Sequence, residues 1–211
     1  MTIMITRLLT TAIAGLILSG LSLGICADPL ILSPTANTLT TGQYRAEAAW
    51  RSNNSRDRLF RLGAGFQQYE VNVLRLEKHD SRADNIVGVQ WSFLPETSFN
   101  PAVAFGISDA GNQSDDGTGI YGVITRHLPI GRSSVFIKDF AATVGLGLFG
   151  IRGPFAGFEA RLPYKFFVQG EYDSRNLNGA IGWQPLKQFR VKAYTIDKDY
   201  YLGAELVPVF F

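Results

Sequence analysis

Residues 154–173 read PFAGFEARLPYKFFVQGEYD, and two kinds of side chain alternate along this stretch. Before the turn at Pro163 and Tyr164, the apolar row consists of Ala156, Phe158, Ala160 and Leu162. The row between them consists of Gly157, Glu159 and Arg161, and the alternation resumes after the turn. Period two indicates strands, and a short turn between two such runs indicates a β-hairpin. One face of this hairpin collects Glu, Arg, Lys and Asp, whereas the other is apolar with aromatic residues near the strand ends. This pattern is typical of a transmembrane barrel with lipid outside and a polar interior.

The same alternation recurs in both directions along the chain. It predicts an all-β fold, a single antiparallel up-and-down transmembrane β-barrel of about 12 strands, with 10–14 as the range. At Leu74, Arg75 and Leu76 the alternation slips, which predicts a β-bulge. The seventh strand is predicted over residues 134–148, although Lys138 and Asp139 interrupt its pattern.

The connections between predicted strands fall into two classes. Taken alternately, one set consists of compact turns, most of which carry proline, and the other consists of loops rich in Asp, Asn, Arg, Ser or Gly. Outer-membrane barrels show this asymmetry, with short periplasmic turns and more polar external loops. An even strand number also places both ends of the barrel on the periplasmic side.

The N-terminal residues 1–27 are predicted to form a cleaved signal peptide. Arg7 supplies the positive charge, residues 8–23 supply an apolar core, and Ala27 ends an acceptable cleavage site. A single membrane anchor and a lipid-modified Cys26 are the alternatives, and no later stretch reaches the ~18 apolar residues of a spanning helix. The predicted mature protein then has a periplasmic N-terminal arm or short capping segment, residues 28–42, and a barrel, residues 43–211.

Composition narrows the functional classes. The chain has 211 residues, 46% of them hydrophobic, which is sufficient for one domain with a core. Its formal net charge of +2 gives no reason to expect nucleic acid as a partner. The one cysteine lies inside the predicted signal, so a disulfide scaffold is excluded for the predicted mature chain. We therefore expect the outer membrane of a Gram-negative-type bacterium as the location.

Four short segments carry a resemblance to known proteins, namely Pro34-Thr35-Ala36, residues 101–106, Gly157-Phe158-Glu159 and Glu171-Tyr172-Asp173. Together they resemble the YjbH-like family of bacterial outer-membrane proteins. The resemblance implies an outer-membrane barrel associated with exopolysaccharide, with polysaccharide or its export proteins as partners, and it supplies no catalytic residue. A C-terminal Phe211 is typical of barrels that the assembly machinery recognises, but the apolar row of the last predicted strand is in phase with Phe210 instead.

Charged residues at alternate positions of consecutive predicted strands are expected to face the lumen. They are Arg45, Glu47, Arg61, Glu159, Arg161, Lys165, Glu171, Asp173, Arg190, Lys192 and Glu205. Because their signs are interspersed, we expect a salt-bridge network that fills a largely closed lumen. A charged pore lining, as in a narrow general porin, is the alternative. A carboxylate pair for glycoside hydrolysis, Glu171 with Asp173 or Glu159, is disfavoured because nearby Arg and Lys would keep both groups ionised.

Other catalytic and metal-binding signals are weak. His127 lies across a predicted turn from Ser133 and Ser134, the arrangement that a small outer-membrane lipid hydrolase would need. The loop from Asn112 resembles the start of a calcium loop, but its twelfth position is Val123 where a bidentate acid is required. The sequence therefore predicts a non-enzymatic protein with no cofactor and with outer-membrane lipid as a partner, and a small lipid or glycan hydrolase remains the alternative.

Overall fold

The computed structural model describes residues 30–53, 56–77, 83–128, 130 and 136–210. Several predictions fall outside these residues, namely the signal peptide over 1–27 with Cys26, and the roles considered for Ser133, Ser134 and Phe211. In the described part of the chain, no helix is long and apolar enough to cross a membrane.

Twelve β-strands form one closed barrel, in which each strand is antiparallel to its neighbours and β1 pairs with β12. The strands are β1 (Gln43–Arg51), β2 (Arg58–Phe66), β3 (Tyr69–Glu77), β4 (Asp84–Leu94), β5 (Ala102–Ser108), β6 (Gly119–Leu128), β7 (Asp139–Phe149), β8 (Gly153–Arg161), β9 (Phe166–Tyr172), β10 (Leu177–Leu186), β11 (Phe189–Ile196) and β12 (Asp199–Phe210). The predicted all-β, up-and-down barrel of about twelve strands is therefore confirmed.

Two local predictions need correction. Strand β7 begins at Asp139, so Lys138 precedes the strand and does not interrupt it. The predicted bulge at Leu74 is wrong, because β3 pairs with β2 and β4 without a register shift there. Leu74 and Leu76 face the lumen, where they pack against a buried cluster that includes Leu59. The alternation is intact, and an apolar part of the interior caused the apparent slip.

The outer surface of the barrel is apolar. We name the end with the turns at residues 67–68, 162–165 and 187–188 the lower end, and the end with the loops 109–118 and 173–176 the upper end. Outward-facing charged residues, Arg58, Arg75, Glu77 and Arg126, all lie within three residues of a strand end among the described strands. Aromatic side chains project outward near both ends. Those near the lower end include Tyr69, Trp91, Phe93, Phe166 and Trp183, and those near the upper end include Trp50, Tyr172 and Tyr200.

The interior combines apolar clusters with buried charge. One cluster of buried side chains consists of Ile31, Ala49, Leu59, Ala180, Tyr194 and Tyr201. A second consists of Ala36, Ala102, Ala104, Tyr121, Val123 and Phe155. Both clusters include a residue that precedes β1, so part of the N-terminal region lies inside the barrel.

Candidate functional site in the barrel lumen

Residues 30–42, which we name the plug, occupy the lumen. Leu30, Ile31, Ala36 and Leu39 are at most 3% exposed, and the plug continues directly into β1 at Gln43. This placement differs from the predicted arm or capping segment. The sequence between Leu30 and Gly42 has neither helical nor strand periodicity, so its apolar residues did not indicate burial. They become buried because the barrel wall surrounds them.

Glu171 holds the plug through its main chain. The carboxylate accepts hydrogen bonds from the backbone N–H of Leu32, at 2.9 and 3.1 Å, and of Ser33, at 3.0 Å. The Asn178 side-chain amide donates to the same carboxylate at 3.0 Å. Buried backbone N–H groups outside regular structure need acceptors, and a carboxylate offers two oxygens for them. Glu171 therefore supplies the hydrogen-bond acceptors that the carbonyl groups of a neighbouring strand would supply in a sheet.

Four further wall residues contact the plug backbone. Arg61 donates to the carbonyl of Ile31 at 2.6 Å, and Gln90 donates to the carbonyl of Thr35 at 2.8 Å. The hydroxyl of Thr125 accepts from the N–H of Ala36, and Glu70 accepts from the N–H of Leu39, both at 2.8 Å. Glu171 is the second-last residue of β9, near the upper end, and Glu70 is the second residue of β3, near the lower end. The plug consequently crosses most of the height of the lumen.

Gly65 provides the space in which the plug reaches β1. A Cβ atom on this residue would lie 2.2 Å from the carbonyl oxygen of Thr40 and 2.5 Å from the carbonyl carbon of Leu39. Both atoms belong to the plug, and the main chain of Gly42 donates to the carbonyl of Gly65 at 3.3 Å. Any side chain at this position would therefore collide with the plug.

The charged network beside the plug includes the ion pair of Arg45 with Glu70 and two larger groups. In the first, Arg190 donates two hydrogen bonds to Glu159, at 3.0 and 3.1 Å, and its guanidinium lies 4.5 Å from the ring centre of Phe167. Gln169 and Arg161 also donate to Glu159, at 2.8 and 3.2 Å. Since Arg190 is fully buried, this carboxylate neutralises a charge that water does not reach.

In the second group, Glu47 lies between two basic side chains. Arg61 donates to it at 3.1 Å, and the ammonium of Lys192 is 2.9 Å away. The hydroxyl of Tyr194 donates to the same carboxylate at 3.1 Å. Lys192 also lies 3.3 Å from Glu205, a pair that is close in distance but lacks hydrogen-bond geometry. Arg61 thus links the network to the plug, because it contacts both Glu47 and Ile31.

The structure brings together most of the predicted lumen residues. Arg45, Glu47, Arg61, Glu159, Glu171, Arg190, Lys192 and Glu205 are all buried in the lumen. Arg161 is half-buried at the lower end, and Asp173 lies just beyond β9, where it accepts from Asn178 at 3.0 Å. Lys165 differs from the prediction. It belongs to the turn at Pro163–Lys165 and donates to the carbonyl of Pro185 at 2.7 Å, because β9 begins only at the next residue.

Sequence reasoning did not single out Gln90, Thr125 and Asn178 as site residues. All three occupy inward positions of their strands, so the alternation could have found them, but they are uncharged. A cavity of about 110 Å³ lies between the plug and the wall, lined by residues that include Leu32, Asn72, Leu74 and Gln90.

His127 contacts Glu96 near the lower end. Its Nδ1 lies 2.6 Å from one oxygen of Glu96, and its backbone N–H donates to the other at 2.7 Å. The described part of the chain contains no group of three or more His, Cys, Asp or Glu residues that could hold a metal ion. These contacts give His127 a structural partner at the rim.

Asp109 organises the loop that resembles the start of a calcium site. Its carboxylate accepts hydrogen bonds from the N–H of Gln113 at 2.9 Å and from the N–H and hydroxyl of Ser114 at 2.7 and 2.6 Å. Burial by itself would raise the pKa of Asp109, but these hydrogen bonds favour the charged form and hold the pKa below its ordinary value. The carboxylate is therefore engaged by the loop itself.

The comparisons found no protein-family model and no curated protein that matches the chain. The resemblance to the YjbH-like family therefore stays a prediction. The closed twelve-stranded antiparallel barrel fits an outer-membrane barrel protein in general.

Proposed function

We propose that the protein is a non-enzymatic outer-membrane β-barrel with a closed lumen, and that it has a structural or transport-accessory role in the assembly or export of envelope exopolysaccharide. The apolar exterior with aromatic side chains near both ends supports contact with outer-membrane lipid. The exopolysaccharide part of the proposal is supported by the sequence resemblance alone.

The observation that carries the proposal is the occupied lumen. Eight strands leave an interior that side chains fill, whereas sixteen leave an aqueous channel, so a barrel of twelve strands needs additional material to close. Here the plug and the ion pairs around Glu47 and Glu159 supply that material. A barrel whose lumen is occupied in this way suits anchoring or assembly better than diffusion of solutes.

Two further partners belong to this proposal. The final strand β12 pairs with β1 and closes the barrel, so the assembly machinery would engage it before closure. Polysaccharide or polysaccharide-export proteins would contact the ends of the barrel, because the plug blocks access through the lumen.

Three measurements test the proposal. The mature protein should fractionate with the outer membrane, and recovery in a salt-washable periplasmic fraction would contradict the location. In planar lipid bilayers the purified protein should show no stable conductance, and long-lived ohmic channels would contradict the closed lumen. In the source bacterium, loss of the gene should lower surface exopolysaccharide and its return should restore it. An unchanged amount would refute the exopolysaccharide role while leaving the barrel assignment intact.

A further inference from the structure

The wall holds the plug by groups that do not depend on the plug's side chains. Glu171, Glu70 and Thr125 accept backbone N–H groups, and Arg61 and Gln90 donate to backbone carbonyls. None of the described strand pairs includes residues 30–42, and the plug contacts the wall through individual bonds, among them one main-chain bond from Gly42 to Gly65. Such contacts can be released without breaking any pair of strands, whereas removal of a wall strand would open the barrel.

The wall is closed without the plug. All twelve strand pairs are formed among β1 to β12, and none of them includes a plug residue. The ion pair of Arg190 with Glu159 and that of Lys192 with Glu47 join wall residues to each other. Departure of the plug would therefore leave a continuous barrel with its charged lining in place.

A side chain at Gly65 would collide with the plug. The nearest atoms to a Cβ at this position belong to Leu39 and Thr40. By contrast, a Cβ on Gly179, which faces outward from β10, would meet only the carbonyl oxygen of Gln169, at 3.9 Å. The two glycines differ in whether a side chain would displace the plug.

We propose that the plug is a releasable gate, and that the closed barrel becomes a cation-selective channel when residues 30–42 leave the lumen. This inference rests on the proposed outer-membrane location. The selectivity follows from the wall. Among the described residues, the buried charges of the strands are four basic and five acidic side chains, which leaves one net negative charge.

Glu171 accounts for that excess. Among the described residues no basic group lies within 4.0 Å of its carboxylate, and its hydrogen-bond donors are the plug and Asn178. Once the plug leaves, this carboxylate faces the open lumen near the upper end of the barrel. Charged side chains that line a pore select ions of opposite sign.

The test compares Gly65→Val with Gly179→Val in the full-length mature protein. Overpacking against the main chain of the plug should raise the released fraction, and hence the frequency of channel openings in planar bilayers, roughly 5- to 150-fold over the wild type. Reversal potentials in a KCl gradient should show cation preference. Gly179→Val should remain as silent as the wild type. A silent Gly65→Val protein that is folded, as judged by heat-modifiable mobility on a gel, would overturn the proposal.

If Gly65→Val does not fold, a second variant and a second measurement still test the proposal. In Glu171→Gln, a side-chain NH₂ replaces one acceptor oxygen and opposes the N–H groups of Leu32 and Ser33, so this variant should also conduct, with weaker cation preference.

The substitution Ser33→Cys, at a site that is 5% exposed in the native lumen, reports directly whether the plug has left the lumen. Its labelling by a membrane-impermeant maleimide should be slow alone and fast with Glu171→Gln. The matched control is Glu205→Gln, which removes a buried carboxylate that has no hydrogen bond to the plug among the described contacts.

The outcomes separate the two proposals. Stable channels in the wild type would contradict the closed barrel of the proposed function. A silent wild type, together with slow maleimide labelling at position 33 in every folded variant, would overturn the gate only. Fast labelling without conductance would also overturn the gate, because a displaced plug would then not be what closes the channel.

Discussion

Ile181→Arg measures whether the outer face of the barrel contacts hydrocarbon. Ile181 is the fifth residue of β10, points outward and is 57% exposed. Its cross-strand partners are Val168 on β9 and Ala193 on β11, which are also apolar. Val168 and Ile181 belong to the apolar rows of β9 and β10, and both project outward.

The expected cost follows from position along the strand. At about 3.3 Å per residue and a tilt of about 40°, Leu177 lies roughly 10 Å closer to the upper end than Ile181. Arginine near the midplane of a bilayer costs about 2–4 kcal/mol, whereas near the interface it costs about 0–1 kcal/mol. We therefore expect Ile181→Arg to lower the free energy of unfolding by about 2–4 kcal/mol, and Leu177→Arg, at an 82% exposed strand end, by about 1 kcal/mol or less.

The assay is reversible urea unfolding of the mature protein in large unilamellar vesicles, followed by tryptophan fluorescence and by heat-modifiable mobility. The position dependence is the diagnostic result, because a barrel in water would tolerate arginine equally at both exposed sites. Equal free energies of unfolding for Ile181→Arg and Leu177→Arg would refute the reasoning that places this face in lipid.

Three other predictions concern the interior and one loop. Glu159→Ala should lower the free energy of unfolding in vesicles by about 3–5 kcal/mol, because it removes the carboxylate that neutralises buried Arg190, and a cost below about 1 kcal/mol would contradict this role. Leu59→Ala should cost about 2–5 kcal/mol in the same assay, since Leu59 is fully buried in the cluster that contains Ile31. The pKa of Asp109 is lowered in the folded loop. The stability that its charged carboxylate gives the loop is therefore complete above the ordinary pKa of about 3.9, and it is lost as the pH falls through the lower folded pKa. Hydrogen exchange at Gln113 and Ser114, corrected for intrinsic rates, should therefore be protected at pH 5 and lose protection as the pH falls below about 3.9, and unchanged protection throughout an acid titration would argue against the loop assignment.

Local alternation was sufficient to predict the barrel wall. Side chains alternate between the two faces of a strand with a period of two residues, and this rule depends only on neighbouring residues. It identified the inward positions of Glu47, Glu159, Arg190 and Lys192. Lys165 has the same parity as the inward residues of β9, but the prediction that it lies in the lumen is wrong. It belongs to the turn at Pro163–Lys165, which lies outside the lumen.

The occupant of the lumen was decided only by the tertiary structure. Residues 30–42 carry no periodic pattern, and the groups that hold them come from distant strands; Leu32 and Glu171 are 139 positions apart. Nothing near Leu32 in the sequence indicates that its backbone N–H will meet a carboxylate on β9. Alternation determines which face of a strand is polar, since that depends on local backbone geometry. Closure of the barrel determines which segment the polar faces enclose, because it brings Glu171, Glu70 and Arg61 around the main chain of the plug.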